Sequence, residues 1–330
     1  LDGAEPYEHS QLLPTGKGLT SIINSENGFL VKHQRKSFII KVMAILSSSS
    51  VPKSLLLSTL LLLGCLALAS ANDFYRDTSV YFGGSRARIL NGGTMMALNL
   101  DRGSGSGFQS KNRYLYGRFS MQIKLVGGNS AGTVSCFYLR SQGAAWEEID
   151  FEFLGNVSGQ PYKIHTNVYT NGVGNREQQF FPWFDPTAAF HTYTILWNPN
   201  RIVWYIDNIP IREFRNLESM GVPFPKTQPM YMYASLWDAE DWATRGGAVK
   251  TDWSKAPFVA SFTNYVADSC VVGSGGANAC FNAGQWYNQQ LDITSQQRLR
   301  WIQDQYMVYN FCKDYRRFPQ GFPRECSVLQ

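Results

Sequence analysis

Between Tyr81 and Phe262 the chain repeats one pattern: a short run rich in aromatic and β-branched residues, then a break at Gly, Asn or Pro. The runs "YLYGRFSMQIKL", "GTVSCFYLR", "EIDFEFLG", "YKIHTNVYT", "HTYTILWN", "RIVWYIDNIPIREF" and "MYMYASLW" all have this form. No helical period interrupts them. Evenly spaced strands of this kind predict an all-β antiparallel sandwich. Within "RIVWYIDNIPIREF", Asp207-Asn208 between two apolar runs is a hairpin turn signal. The pattern changes near the end. There "TSQQRLRWIQDQYMVYNFC" offers a Thr294-x-x-Gln297 capping box, with Leu299, Ile302, Tyr306 and Tyr309 at helical spacing. One amphipathic helix flanked by cysteines is expected in a C-terminal extension.

Not all of the 330 residues need belong to the folded product. Met43, a positive Lys53, the apolar run Leu55 to Leu68 and the small residues Ala69-Ser70-Ala71 succeed one another as a secretory signal peptide does. The run is shorter than the ~20 residues that span a bilayer. Residues 43–71 are therefore expected to be a cleaved leader, with no membrane attachment after cleavage. The polar, aperiodic residues 1–42 ahead of it are expected to be upstream, non-native sequence without a core. Residues 72–330 suffice for one large β domain with an appendage.

With 30 Lys+Arg against 25 Asp+Glu the charge is nearly balanced, which argues against a nucleic-acid surface. All nine Trp lie beyond residue 71, enough for aromatic platforms under a neutral ligand. Of the six Cys, Cys65 falls in the leader, and Cys270, Cys280, Cys312 and Cys326 cluster near the end. In a secreted chain these four read as two disulfides with three possible pairings. Cys270–Cys280 and Cys312–Cys326 are favoured, because each closes a short loop. Cys136, in an apolar strand, reads as a buried free thiol. Asn156-Val157-Ser158 is an N-glycosylation sequon.

"WEEIDFEFLG" sets Glu148, Asp150 and Glu152 two residues apart, with Ile149, Phe151 and Phe153 between them. Side chains alternate across a strand, so the apolar set faces the core and the acidic set faces away. No Lys or Arg alternates with the carboxylates to relieve their repulsion. Such an outer face must meet something. Retaining glycosidases need two carboxyl groups about 5–5.5 Å apart, one a nucleophile and one an acid/base. Residues four apart on a strand have Cα atoms about 13 Å apart. Two long Glu side chains on a curved strand can still converge, and the shorter Asp between them can hydrogen-bond the nucleophile and help keep the acid protonated. Other chemistries have less to work with. Beyond residue 71 only His165 and His191 are present, too few for a His-rich metal site, and no nucleophile elbow or calcium loop occurs. No metal and no cofactor is implied.

These residues, with "GSGFQSKN", "GNSAGTV", "HTNVYT", "GNREQQF", "WFDPT", "SLWDAEDWATRGG", "KTDWSKAPF" and the terminal "YNFCKDYRRFPQGFPREC", resemble the xyloglucan endotransglucosylase/hydrolases, plant cell-wall enzymes of glycoside hydrolase family 16. The resemblance runs from about residue 74 to 330. It implies a curved, concanavalin A-like β-jelly-roll over 72–264, with a cleft lengthened by a disulfide-bonded extension over 265–330. It makes Glu148 the nucleophile, Asp150 the assisting carboxylate and Glu152 the acid/base. It places sugar contacts at His165, Thr166 and Asn167, at Asn175, Arg176 and Glu177, at Asp241, Trp242 and Gly246, and at Arg317. The implied partners are a xyloglucan donor and a xyloglucan oligosaccharide acceptor, handled by a secreted monomer in the cell wall. Transfer is favoured over the alternatives, a predominantly hydrolytic enzyme or a non-catalytic binding sandwich. Two positions depart from the family pattern: Trp146-Glu147 stands where His-Asp is usual, and Arg113 stands where an acidic residue is common.

Overall fold

The computed structural model describes residues 73–273, residue 280 and residues 284–328. The expected leader, the segment before it and Cys65 lie outside the described residues. A single turn of helix, α1 (Phe74–Asp77), opens the domain. Fourteen strands follow: β1 (Thr78–Phe82), β2 (Ala87–Leu90), β3 (Met95–Leu100), β4 (Ser106–Lys124), β5 (Thr133–Arg140), β6 (Glu148–Leu154), β7 (Lys163–Tyr169), β8 (Gln178–Phe180), β9 (His191–Asn198), β10 (Arg201–Ile206), β11 (Ile209–Arg215), β12 (Met230–Asp238), β13 (Phe258–Val271) and β14 (Met307–Asn310). The longer helix α2 (Ile293–Tyr306) comes between the last two strands.

All the paired strands are antiparallel, and β4 is the hinge of their arrangement. Its first half lies between β1 and β12, and its second half between β13 and β9. The change of layer falls at Tyr116 and Gly117, both at positive φ (66° and 153°). Gly117 is obligatory there, because a Cβ would run into Ser269 of β13. One layer thus runs β1, β4, β12, β5, β6, β7, β8, β14, and the other β2, β3, β13, β4, β9, β10, β11. This is the antiparallel sandwich the alternating runs predict and the jelly-roll that the family resemblance implies.

The alternation in β6 does what its residues require. Ile149, Phe151 and Phe153 are fully buried between the layers, where Phe151 and Phe153 pack edge-on against Tyr193 of β9 at 5.7 and 4.6 Å. Each such ring contributes about 1.5–3 kcal/mol by leaving water. Trp204 of β10 reaches across to donate its indole N–H to the Asp150 carbonyl at 2.9 Å. Arg212 of β11 donates to the Thr166 carbonyl and hydroxyl, both at 2.8 Å. The backbones of β6 and β7 are therefore tied from beneath, leaving their outer faces free for other work. The Asp207-Asn208 turn forms as expected, with φ of 48° and 64°.

Three expectations for the C-terminal part need correction. The helix is capped by Asp292, whose carboxylate accepts from Ser295 N at 2.7 Å, and Thr294 lies inside the first turn. Tyr309 is not on the helix but in β14, which pairs with β8 and covers its open edge. The boundary expected at residue 264 falls inside β13, which stays paired with β4 as far as Val271. The helix lies along β11, with Ile302 fully buried. Cys270 pairs with Cys280 and Cys312 with Cys326, the favoured alternatives.

Candidate active site

The register of β5, β6, β7 and β8 arranges the outer face into cross-strand rows. Arg140, Glu148 and Tyr169 form one; Tyr138, Asp150 and Asn167 the next; Cys136, Glu152, His165 and Gln179 the third, which β14 extends with Tyr309. The three carboxyls open into a depression of about 180 Å³, also lined by Cys136, Tyr138, Arg140, Ser235 and Trp237. A roomier hollow of about 1180 Å³ lies among α2, β14 and the Cys312–Cys326 loop. It gathers no converging carboxylates.

The outer face is not without a cation, as the β6 sequence by itself suggests. Arg140, from the neighbouring strand, stands with Nε 3.3 Å from Glu148 Oε2. The alignment falls short of a hydrogen bond, so that oxygen keeps its lone pairs free. Trp146 holds the guanidinium in place, its ring 4.1 Å below it and 4.8 Å from the Tyr169 ring. The Trp146-Glu147 departure therefore has a structural consequence: the indole clamps Arg140. Glu147 turns inward, 7% exposed, where burial pushes its carboxyl up to about 7.

At the other end of β6 the neighbours are neutral or acidic. Cys136 Sγ lies 4.0 Å from Glu152 Oε1, and His165 Nε2 lies 3.6 Å from Glu152 Oε2. The thiol is buried as expected, and it lines the floor of the carboxyl depression. Burial pushes His165 down to about 4, so the ring is neutral at working pH. Burial raises Glu148 and Glu152 to about 7, Arg140 opposing the rise at Glu148, Glu148 and Glu177 adding to it at Glu152. Asp150, 5% exposed and hemmed in by both glutamates, is pushed well above the carboxylate range by burial first and by its neighbours' charges second. The three titrate as one set and cannot all ionise together. Arg140, the cation beside Glu148, favours losing the first proton at the Glu148 end. Such a face can offer a carboxylate at one end and an acid at the other.

The remaining sequence candidates divide by side of the sheet. His165 and Asn167 face outward in the rows above, and Asn167 Nδ2 reaches Glu177 Oε1 at 3.5 Å. Asn175 and Glu177 meet Arg317, whose Nη2 donates to Glu177 Oε1 at 3.0 Å and also to Asn175 Oδ1. Asp241 and Trp242 are exposed, and Gly246, at φ 66°, has open space where a Cβ would point. Thr166 and Arg176 are corrections. Thr166 is fully buried on the inner face, bonded to Gln178 and Arg212. Arg176, 8% exposed, turns inward to Glu325 at 2.7 Å, so neither Thr166 nor Arg176 reaches the cleft.

The site also contains residues that the sequence reading passed over. Tyr138 stacks on Tyr233 at 5.1 Å, with its hydroxyl 3.3 Å from that of Tyr81. Farther along β12, Trp237 lies 6.2 Å from Trp242, and Trp242 meets the His165 ring at 6.3 Å. Tyr138 and Trp237 line the carboxyl depression directly. Counting alternate positions along β5 back from Arg140 picks out Tyr138 and Cys136, once β5 is known to neighbour β6.

Two family models match the chain: "Glycosyl hydrolases family 16" over residues 74–255, and "Xyloglucan endo-transglycosylase (XET) C-terminus" over residues 281–326. The probable xyloglucan endotransglucosylase/hydrolase protein 23 of Arabidopsis thaliana is 57% identical over 86% of this chain and 99% of its own length. Xyloglucan endotransglucosylase/hydrolase protein 22 of the same plant is 61% identical over 78% and 92%. Xyloglucan endotransglucosylase protein 1 of Diospyros kaki is 58% identical over 82% and 94%.

Proposed function

The chain belongs to glycosyl hydrolase family 16, among the xyloglucan endotransglucosylase/hydrolases, and from that membership we propose that it cuts the β-1,4-glucan backbone of xyloglucan and joins the fragment to another xyloglucan chain. The carrying observation is the asymmetry of the carboxyl rows. Glu148 has Arg140 beside it and an oxygen free of donors, which suits a nucleophile. Glu152 has a neutral imidazole and a thiol beside it, which suits a group that must hold a proton.

In the first step Glu148 attacks the anomeric carbon, the glycosidic C–O bond breaks, and the Glu152 proton passes to the leaving oxygen. A glycosyl ester on Glu148 results. In the second step Glu152 takes the proton of an incoming sugar hydroxyl, whose oxygen displaces Glu148 from the same carbon. Two inversions give retention. Asp150 keeps a proton between the glutamates and hydrogen-bonds Glu148, steadying it for attack. His165, Asn167, Asn175, Glu177, Arg317, Asp241 and Trp242 are proposed to hold the sugar chain, Gly246 leaving room for it, with the Tyr138–Tyr233 stack of β5 and β12 as a platform. Transfer prevails over hydrolysis to the extent that these contacts seat a sugar hydroxyl and keep water out.

The same reading places the protein outside the cell, in the wall. The leader-like residues 43–71, the two disulfides and the partly exposed Asn156 of the sequon support secretion. The working unit is proposed to be a monomer. In the domain division, residues 72–271 carry the cleft, and the rest, through β14 and Arg317, extends it. The test is incubation with xyloglucan and a fluorescent xyloglucan oligosaccharide, following label in polymer and new reducing ends. Label entering polymer is expected. Reducing ends without label would make it a hydrolase, and binding without either would make it a non-catalytic module.

A further inference from the structure

His165 joins Glu152 to a residue outside the machinery described so far. In the third cross-strand row Gln179 of β8 is the direct partner of His165, as His165 is of Glu152. The Gln179 side-chain amide nitrogen lies 3.0 Å from His165 Nδ1, and the opposite ring nitrogen, Nε2, faces Glu152 Oε2 at 3.6 Å. A neutral imidazole carries one proton, and the hydrogen bond at one nitrogen decides which nitrogen holds it. An amide N–H pointing at Nδ1 requires the lone pair there, and therefore a proton on Nε2.

We propose that Gln179 is a positioning residue of the reaction: by donating its amide N–H to His165 Nδ1, it holds the imidazole as the Nε2–H tautomer, with that proton aimed at the acid/base Glu152. The proposal rests on the assignment of Glu152 given above. Its consequence is specific to one stage. The 3.6 Å separation leaves room to close: while Glu152 is protonated its contact with Nε2–H stays loose. Once its proton has gone to the leaving oxygen, the Glu152 carboxylate accepts from Nε2–H. The glycosyl-enzyme is thereby stabilised without any proton leaving the imidazole. The opposite tautomer would present a lone pair to that carboxylate and repel it.

The surroundings keep the ring in the neutral state this requires. The ring is 8% exposed, and burial outweighs the pull of Glu177 on its proton, with Arg212 of β11, Arg317 beyond β14 and Lys163 of β7 acting against protonation. The other titratable groups that bear on Glu152 are Asp150 and Glu148 on its own strand, Cys136 on β5 and Glu177 ahead of β8, while Arg140 stands at the far end beside Glu148. None of them supplies the ionised Glu152 with a cation; the Cys136 thiol is a weak donor toward Oε1, and Nε2–H is the donor that faces Oε2.

Two variants and two readouts test this. The protein is labelled with 15N at histidine, and the His165 signal is identified by its loss in His165→Gln. The wild type is expected to show the Nε2–H tautomer. Gln179→Glu, equal in size but with acceptors only, is expected to draw the proton to Nδ1, and Gln179→Leu to give a mixture. In the transfer assay Gln179→Leu should lower kcat about tenfold with KM unchanged. Its basic limb should move to higher pH, because the ionised Glu152 has lost its donor. An Nδ1–H tautomer in the wild type would overturn the proposal. So would variants that melt at lower temperature while keeping both tautomer and pH profile. The tautomer readout decides the matter even if the wild type shows no transfer, an outcome that would count against the assignment of Glu152 instead.

Discussion

Glu325 and Asp150 are buried to nearly the same degree, 3% and 5% exposed, and they live in opposite surroundings. Glu325 accepts from Arg176 at 2.7 Å, and Arg176 in turn bonds the β7–β8 turn through Thr170 Oγ1 and the Val173 carbonyl, both at 3.3 Å. This pair joins residues 149 apart in sequence and fastens the C-terminal segment to the sandwich. Asp150 has no cation in contact. It has Glu148 and Glu152 on either side and stays protonated because it cannot afford a charge. A buried carboxylate with its counterion is a fastener, whereas a buried carboxyl among other carboxyls lowers stability and persists because it serves chemistry. The fold sets the two apart by side: the fastener faces inward, and the carboxyl rows face the cleft.

The sharpest way to break this comparison is to remove one member of each set. Glu148→Ala should cut transfer on the order of 10⁴-fold or more, since a residual rate must do without the nucleophile. Its melting temperature at pH 7 should equal or exceed that of the wild type, as one source of repulsion has gone. Arg176→Met should do the reverse. It strands the Glu325 charge in the interior and should cost about 3–5 kcal/mol by denaturant titration, with the rate per folded molecule nearly unchanged. If the Arg176 variant loses activity while keeping its stability, the division between the two sets is wrong.

Stability against pH sharpens the same contrast. Glu148 and Glu152 are raised to about 7 in the folded protein, against an unfolded value near 4.5. The folded state therefore holds more protons between those values. Whatever stability these groups lend is complete below about pH 4.5 and lost as pH rises through 7. The melting temperature should fall by several degrees, roughly, between pH 5 and pH 8, and the fall should shrink in Glu148→Gln. Smaller again is the effect of Arg140→Gln. Losing the cation should lift the acid limb of the transfer profile by about one pH unit, leaving the plateau rate within about tenfold. Trp146→Ala, which only loosens Arg140, should move that limb the same way by less.

Much of this was legible from alternation alone. A period of two along "EIDFEFL" separates Ile149, Phe151 and Phe153 from the carboxyls, and the Asp207-Asn208 turn follows from residues that tolerate positive φ. The same period already divides "HTN" in β7: if His165 and Asn167 face the cleft, Thr166 cannot; the inward turn of Arg176 lies outside any strand, next to Asn175 at φ 68°, and alternation does not predict it. What alternation lacks is register. That Arg140 stands opposite Glu148, and Gln179 opposite His165, depends on which strands pair and at what offset, and this is fixed by long-range packing. The cation at the nucleophile and the amide at the imidazole were therefore hidden. The strand β14 was hidden for a related reason. Its Met307–Asn310 continues the helical spacing of α2 and becomes a strand because β8 has an edge to cover.

The most direct test is to quench the protein during turnover of xyloglucan and locate any sugar ester by peptide mass spectrometry. The account predicts a glycosyl adduct on the peptide carrying Glu148, attached at Glu148 itself and absent from Glu148→Ala. An adduct at Asp150 or Glu152, or transfer that persists in Glu148→Ala, would contradict it.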